Sequence, residues 1–123
     1  MTIPALPEQV RVARTFLAGI LGSSHQHLDV ALLLATELVT NSLRHSGSAV
    51  PGGLVTVTVM AERHAVRVEV TDTSADGVPV LPVADAGEAE GSRGMRLVDA
   101  LAARWGYQRG GGLATTWFEL RQD

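Results

Sequence analysis

The sequence predicts an α+β protein, a two-layer α/β sandwich with helices packed on one face of a mostly antiparallel mixed sheet. Three observations predict it. Apolar residues recur at helical spacing up to about His45, and two adjacent segments then alternate with period 2. A third helical segment separates these from a last pair of strands.

Pro7 suits the first turn of a helix, and Val10, Ala13, Phe16/Leu17 and Ile20/Leu21 form an apolar stripe that Gly22 stops. A second helix runs from about Gln26 to His45, with Leu28, Leu32, Ala35, Val39 and Leu43 as its buried stripe and Gly47 ending it. Ser48 to Gly53 reads as a loop. Leu54 to Ala61 and Ala65 to Thr73 alternate valines, and the short Glu62-Arg63-His64 connection makes them an antiparallel hairpin. Ser74 to Arg93 is rich in Gly, Pro, Ala and acids and has no periodicity. A loop of that length in a small domain is usually functional or mobile. The third helix starts near Ser92 to Gly94 and runs to about Ala103. Arg104 to Arg109 and Thr115 to Arg121 then form a second hairpin around Gly110 to Gly112.

With 123 residues and no internal repeat, the chain reads as one domain spanning 1–123. Cysteine is absent, which excludes disulfides and thiolate metal sites and fits a reducing cytoplasm. The opening MTIPALPEQV has neither the basic region nor the apolar run of a signal peptide, and no apolar stretch would cross a bilayer, so a cytoplasmic location is expected. The net charge is −3 and the basic residues are scattered, against direct nucleic-acid binding. All ten basic residues are Arg. That excludes a P-loop lysine, a Schiff base and a lysine-dependent kinase, so phosphate contacts would come from Arg, hydroxyls, backbone amides or a metal.

Chemistry concentrates in ELVTNSLRH. Glu37 and Asn41 lie at i and i+4, on one helix face, beside the apolar stripe. The carboxamide offers an uncharged oxygen to a hard cation, and the carboxylate an acceptor that aligns or deprotonates a nucleophile. Alone, the pair is weak evidence, because an exposed Glu and Asn on a helix are usually just its solvated side. Three downstream features accompany it. Asp72 ends a strand in VTDTSADGVP, where a carboxylate can accept from an exocyclic amine and Gly77 permits close approach to a flat ring. In EGSRGMRLVDAL, Gly91 and Gly94 flank a helix start that offers free N–H groups to an anion, with Arg93 and Arg96 as added donors. In Thr115-Thr116-Trp117, a threonine hydroxyl can face the cleft, although β-branched residues also suit any strand.

Together these elements resemble the GHKL (histidine-kinase-like) ATP-binding domains. The closer resemblance is to the small actinobacterial anti-sigma-factor serine/threonine-kinase-like regulators. It covers nearly the whole chain: PEQVRVAR at the start, ELVTNSLRHS as the N box, VEVTDTS and GSRGMRLVDALAARWGY as glycine-box regions, and TTWFEL at the end. The resemblance implies a Bergerat-type fold binding ATP or ADP with Mg²⁺. It implies that Asn41 ligates the metal, Glu37 is the catalytic carboxylate and Asp72 reads the adenine amine. Gly77 would lie beside the base. Gly91, Gly94 and Met95 would hold the phosphates with Arg93 nearby, Thr115 would be the glycine-box threonine, and residues 80–90 a short acidic lid.

The resemblance implies an ATP-dependent serine/threonine kinase that phosphorylates a small anti-anti-sigma-like partner and sequesters a sigma factor, with a homodimer common in the group. The alternative is a catalytically weak nucleotide-binding module that regulates by sequestration alone. A plain ATPase is a third reading, weakened because no transducer domain is present in the sequence. His25 and His27 read as a solvated helix start, His45 as closing its helix, and Trp105 and Trp117 as core residues or cross-strand partners.

Overall fold

The computed structural model describes residues 1–45, 53–73 and 90–121, the side chains at 44, 45 and 90–93 excepted. The chain order is β1 (Thr2–Pro4), a 3₁₀ turn (Pro7–Gln9), α1 (Val10–Leu21), α2 (Leu28–His45), β2 (Leu54–Ala61), β3 (Ala65–Thr73), α3 (Glu90–Leu101), β4 (Arg104–Gly110) and β5 (Leu113–Arg121). The five strands form one sheet in the order β1-β2-β3-β5-β4, every neighbouring pair antiparallel. The expected α+β sandwich is therefore the observed one, with a sheet that is antiparallel in every described pairing where a mixed one was expected.

Sheet alternation sets the layer boundary. Val55, Val57, Val66, Val68, Val70, Phe118 and Leu120 are buried on the helix side, while Arg67, Glu69, Thr71, Thr115 and Trp117 occupy the other face. Burying these apolar faces is the main favourable term for the fold. The helices answer with Ala13, Leu17 and Leu21 from α1, Leu34, Leu38 and Val39 from α2, and Met95 and Val98 from α3. The buried stripe of α2 is rotated from the expected one: Ala31, Leu34, Ala35, Leu38 and Val39 are its centre, and Leu32 is only partly buried. Ile20, expected inside, is half exposed.

The ends of elements follow local chemistry. Gly22 takes φ +84° and donates its N–H to Ala18, ending α1 as expected. Gly111 and Gly112, both at positive φ, make the two-residue β4–β5 turn, matching the twist of the strands. Strand β1 was not expected from the sequence. It is three residues long, too short for a periodicity, and is held by pairing Thr2 with Thr56 and burying Ile3. Helix α3 starts at Glu90, earlier than expected, and ends at Leu101. The proposed helix stop at Gly47 and the residue range 80–90 of the expected lid, up to Ala89, lie outside the described residues, as does Gly77.

The start of α2 is tied to the β2–β3 turn. His25 bonds through Nε2 to the Glu62 carbonyl at 2.8 Å, Gln26 donates to the Arg63 carbonyl at 3.2 Å and to His64 Nδ1 at 2.8 Å, and His27 Nε2 bonds to the His64 carbonyl at 3.1 Å. His25 and His27 are thus a brace between layers, more than a solvated helix start. From this common anchor, Asn41 lies about 21 Å along α2 and Asp72 about 27 Å along β3. Both residues consequently sit at the same end of the sandwich, opposite the hairpin turn.

Candidate functional site

The site begins with α2, which packs across β3 between α1 and α3. Glu37 and Asn41 are both partly buried on the border of the stripe, as the sequence predicts. The Asn41 Oδ1 atom is withdrawn from solvent and has no hydrogen-bond partner among the described residues. A buried amide oxygen without a partner costs about 1–3 kcal/mol, so a bound ligand or an ordered water is expected to satisfy it. A hard cation is the natural one, because such ions prefer oxygen donors including Asn carbonyls.

Helix α3 crosses α2 at Glu37. A Cβ built on Gly94 would fall 2.5 Å from Glu37 Oε2 and 3.3 Å from its Cδ, so only glycine leaves room for the carboxylate there. Gly94 is buried in the second turn of the helix, and Met95 sends its side chain into the core at 5% exposure. Gly94 and Met95 therefore lie inside the helix, not at its start as expected from the sequence. Gly91 lies in the first described turn of that helix. The side chains of Gly91's neighbours, Arg93 among them, lie outside the described set, and Arg96 is exposed.

Asp72 is 92% buried near the end of β3, on the helix side of the sheet, paired in register with Val55 and Ala114. Thr115 does not join it. Its hydroxyl bonds the Thr71 hydroxyl at 2.7 Å on the face away from the helices. The threonine on the Asp72 side of the sheet is Thr116, which is buried, pairs with Val70 and lies diagonally from Asp72. A strand's period of 2 forces this choice, since neighbours point to opposite faces.

Sequence reasoning missed Tyr107. It pairs with Thr116 across β4–β5, on the same face as Asp72, and its hydroxyl is also buried without a partner among the described residues. Burial pushes the phenol above its ordinary value, the Asp72 charge adds to this, and Arg109 partly opposes it. The sequence signal was present but weak: Tyr107 lies two residues after Trp105 in an expected strand, which puts both side chains on one face.

The two tryptophans diverge. Trp105 pairs with Phe118 on the helix side and donates from Nε1 to Asp99 at 2.8 Å. Trp117 faces the open side over Gly106, with the Arg67 guanidinium 3.9 Å from its ring centroid. They are not cross-strand partners of one another, because their register is offset by one residue. Beside Trp117, Glu119 accepts from Arg67 at 2.6 Å and from Arg104 at 2.8 Å, and lies 3.5 Å from Arg121.

No helix among the described residues is long and apolar enough to cross a membrane. The chain is similar to an uncharacterised protein of Streptomyces coelicolor, 38% identical over 76 residues, or 62% of this chain and 70% of that one. Among solved structures it is similar to the histidine kinase domain of the Erythrobacter litoralis EL346 blue-light activated histidine kinase. The identity is 23% and the TM-score 0.61, covering 97% of this chain and 61% of that one. The RsbU and RsbW domains of a Mycobacterium tuberculosis protein give 20% identity and a TM-score of 0.62, covering 98% of this chain and 32% of that one. The chain thus spans less than two thirds of either solved structure, and at these identities the likeness is one of fold. The model of the histidine kinase-like ATPase domain matches residues 3–120, nearly end to end, and the chain belongs to that family.

Proposed function

We propose that this protein is an ATP-binding regulatory protein that transfers phosphate to a serine or threonine of a small protein partner. The partner resembles an anti-anti-sigma factor, and a sigma factor is the target held or released. The observation that carries this reading is the buried, unpartnered Asn41 Oδ1, one helical turn from Glu37 and at the same end of the sandwich as Asp72.

Asn41 and Asp72 fit the groups the family binds. Asn41 Oδ1 would hold Mg²⁺, which when bound neutralises charge on the phosphates. Asp72 would accept a hydrogen bond from the adenine amine, Thr116 would hydrogen-bond nearby, and backbone N–H groups near Gly91 would face phosphate oxygens. Glu37 would align or deprotonate the partner's hydroxyl. A second reading, a module that binds nucleotide and sequesters its partner without turnover, is supported by the packing of Glu37 Oε2 against α3 at Gly94.

Melting the protein with Mg–ADP tests the site. Ligand at about a hundred times Kd stabilises by roughly 2.7 kcal/mol, which raises Tm by on the order of 10 °C in a domain of this size. Asp72→Asn should abolish the shift, and an equal shift with GDP would defeat the adenine assignment. Transfer from labelled ATP to a co-purifying partner, lost in Glu37→Ala, would separate the kinase from the module.

A further inference from the structure

The Tyr107 hydroxyl is the second buried polar atom without a partner among the described residues. Phenylalanine would fill the same volume without that cost, so the hydroxyl weakens the ligand-free fold. Its surroundings narrow what it meets. Asp72 on β3, Thr116 on β5 and Tyr107 on β4 lie on one face of three consecutive strands, Tyr107 directly opposite Thr116 and Asp72 diagonal to it. The phenol lies within the field of the Asp72 carboxylate and stays protonated. The site therefore presents one obligatory acceptor and one ready donor.

Adenine is complementary to that pair. Its exocyclic amine donates, and the ring nitrogens on either side, N1 and N7, accept. Guanine carries a carbonyl at the same ring position and a protonated N1, which reverses the first two of these. We propose that Tyr107 is a base-reading residue, its hydroxyl donating, directly or through one water, to the adenine ring nitrogen beside the amine that Asp72 accepts from. The proposal rests on the reading above that an adenine nucleotide occupies this site.

Titration calorimetry with ADP, 1-deaza-ADP and 7-deaza-ADP, on the full chain and its Tyr107→Phe variant, tests it. The phenylalanine variant should bind ADP about 3- to 10-fold more weakly. One of the two analogues, lacking the nitrogen concerned, should bind the unmodified protein more weakly and be indifferent to the substitution. Without ligand the variant should melt no lower than the unmodified protein. Equal ADP affinity in both proteins, equal weakening of ADP and both analogues, or a lower ligand-free Tm would each overturn the assignment. Failure of the unmodified protein to bind ADP would overturn the nucleotide reading itself, whereas failure in the variant arms alone would leave that reading intact.

Discussion

The Glu37 carboxylate occupies the space where a side chain at Gly94 would begin, 2.5 Å from an ideal Cβ. The closest atom is the far end of a flexible side chain, so Gly94→Ala should move the carboxylate rather than the helices. Alanine is favoured over glycine within a helix by roughly 1 kcal/mol, which offsets the crowding. The expected outcome is stability within about 1 kcal/mol of the unmodified protein and a retained Mg–ADP shift, with phosphotransfer reduced at least tenfold. Loss of the shift alongside transfer would mean that the helices themselves had separated.

Gly106 faces a less forgiving neighbour. A Cβ there would meet Trp117 ring atoms at 2.6–2.8 Å, and Arg67 sits over that ring. Gly106→Ala should therefore destabilise by about 1–3 kcal/mol, and most of the loss should vanish in a Trp117→Leu background. Urea unfolding of the two single variants and the double variant measures that coupling.

Thr115 and Thr116 offer a test of face. Thr116→Val should weaken nucleotide binding several-fold, because its hydroxyl is on the Asp72 side. Thr115→Val removes only the bond to Thr71 and should cost about 1 kcal/mol of stability with nucleotide affinity unchanged. Calorimetry showing the reverse pattern would restore the sequence-based choice of Thr115.

Glu119 should govern part of the acid response. Burial alone would raise its carboxyl, but hydrogen bonds from Arg104 and Arg67 and the charges of Arg104 and Arg121 hold it below the usual range. The sign follows from the depressed value. Its contribution is fully present above the unfolded glutamate value of about 4.3 and is lost as pH falls through the lower folded value. Glu119→Gln should be less stable at pH 7 by about 1 kcal/mol, since two of its three arginine partners, Arg104 and Arg121, are largely exposed. Its Tm should converge on that of the unmodified protein below pH 4; a constant gap would contradict the linkage.

Much of the fold was legible because its signals are local. Val55, Val57, Val66, Val68 and Val70 alternate with polar residues, and each alternation names a buried face. The α1 stop at Gly22 and the glycine turn before β5 follow from backbone preferences of single residues. Strand β1 was invisible, since Ile3 is buried by pairing with a segment more than fifty residues away.

The sequence by itself determined that Glu37 and Asn41 share a helix side and that Asp72 ends a strand, because periodicity acts within one element. Only the tertiary structure decided which threonine shares a face with Asp72, that Gly94 packs on Glu37 inside a helix, and that Tyr107 lies on that same face. Those outcomes depend on strand register and on where α3 begins. Both are fixed by contacts between elements distant in the chain, which no local pattern encodes.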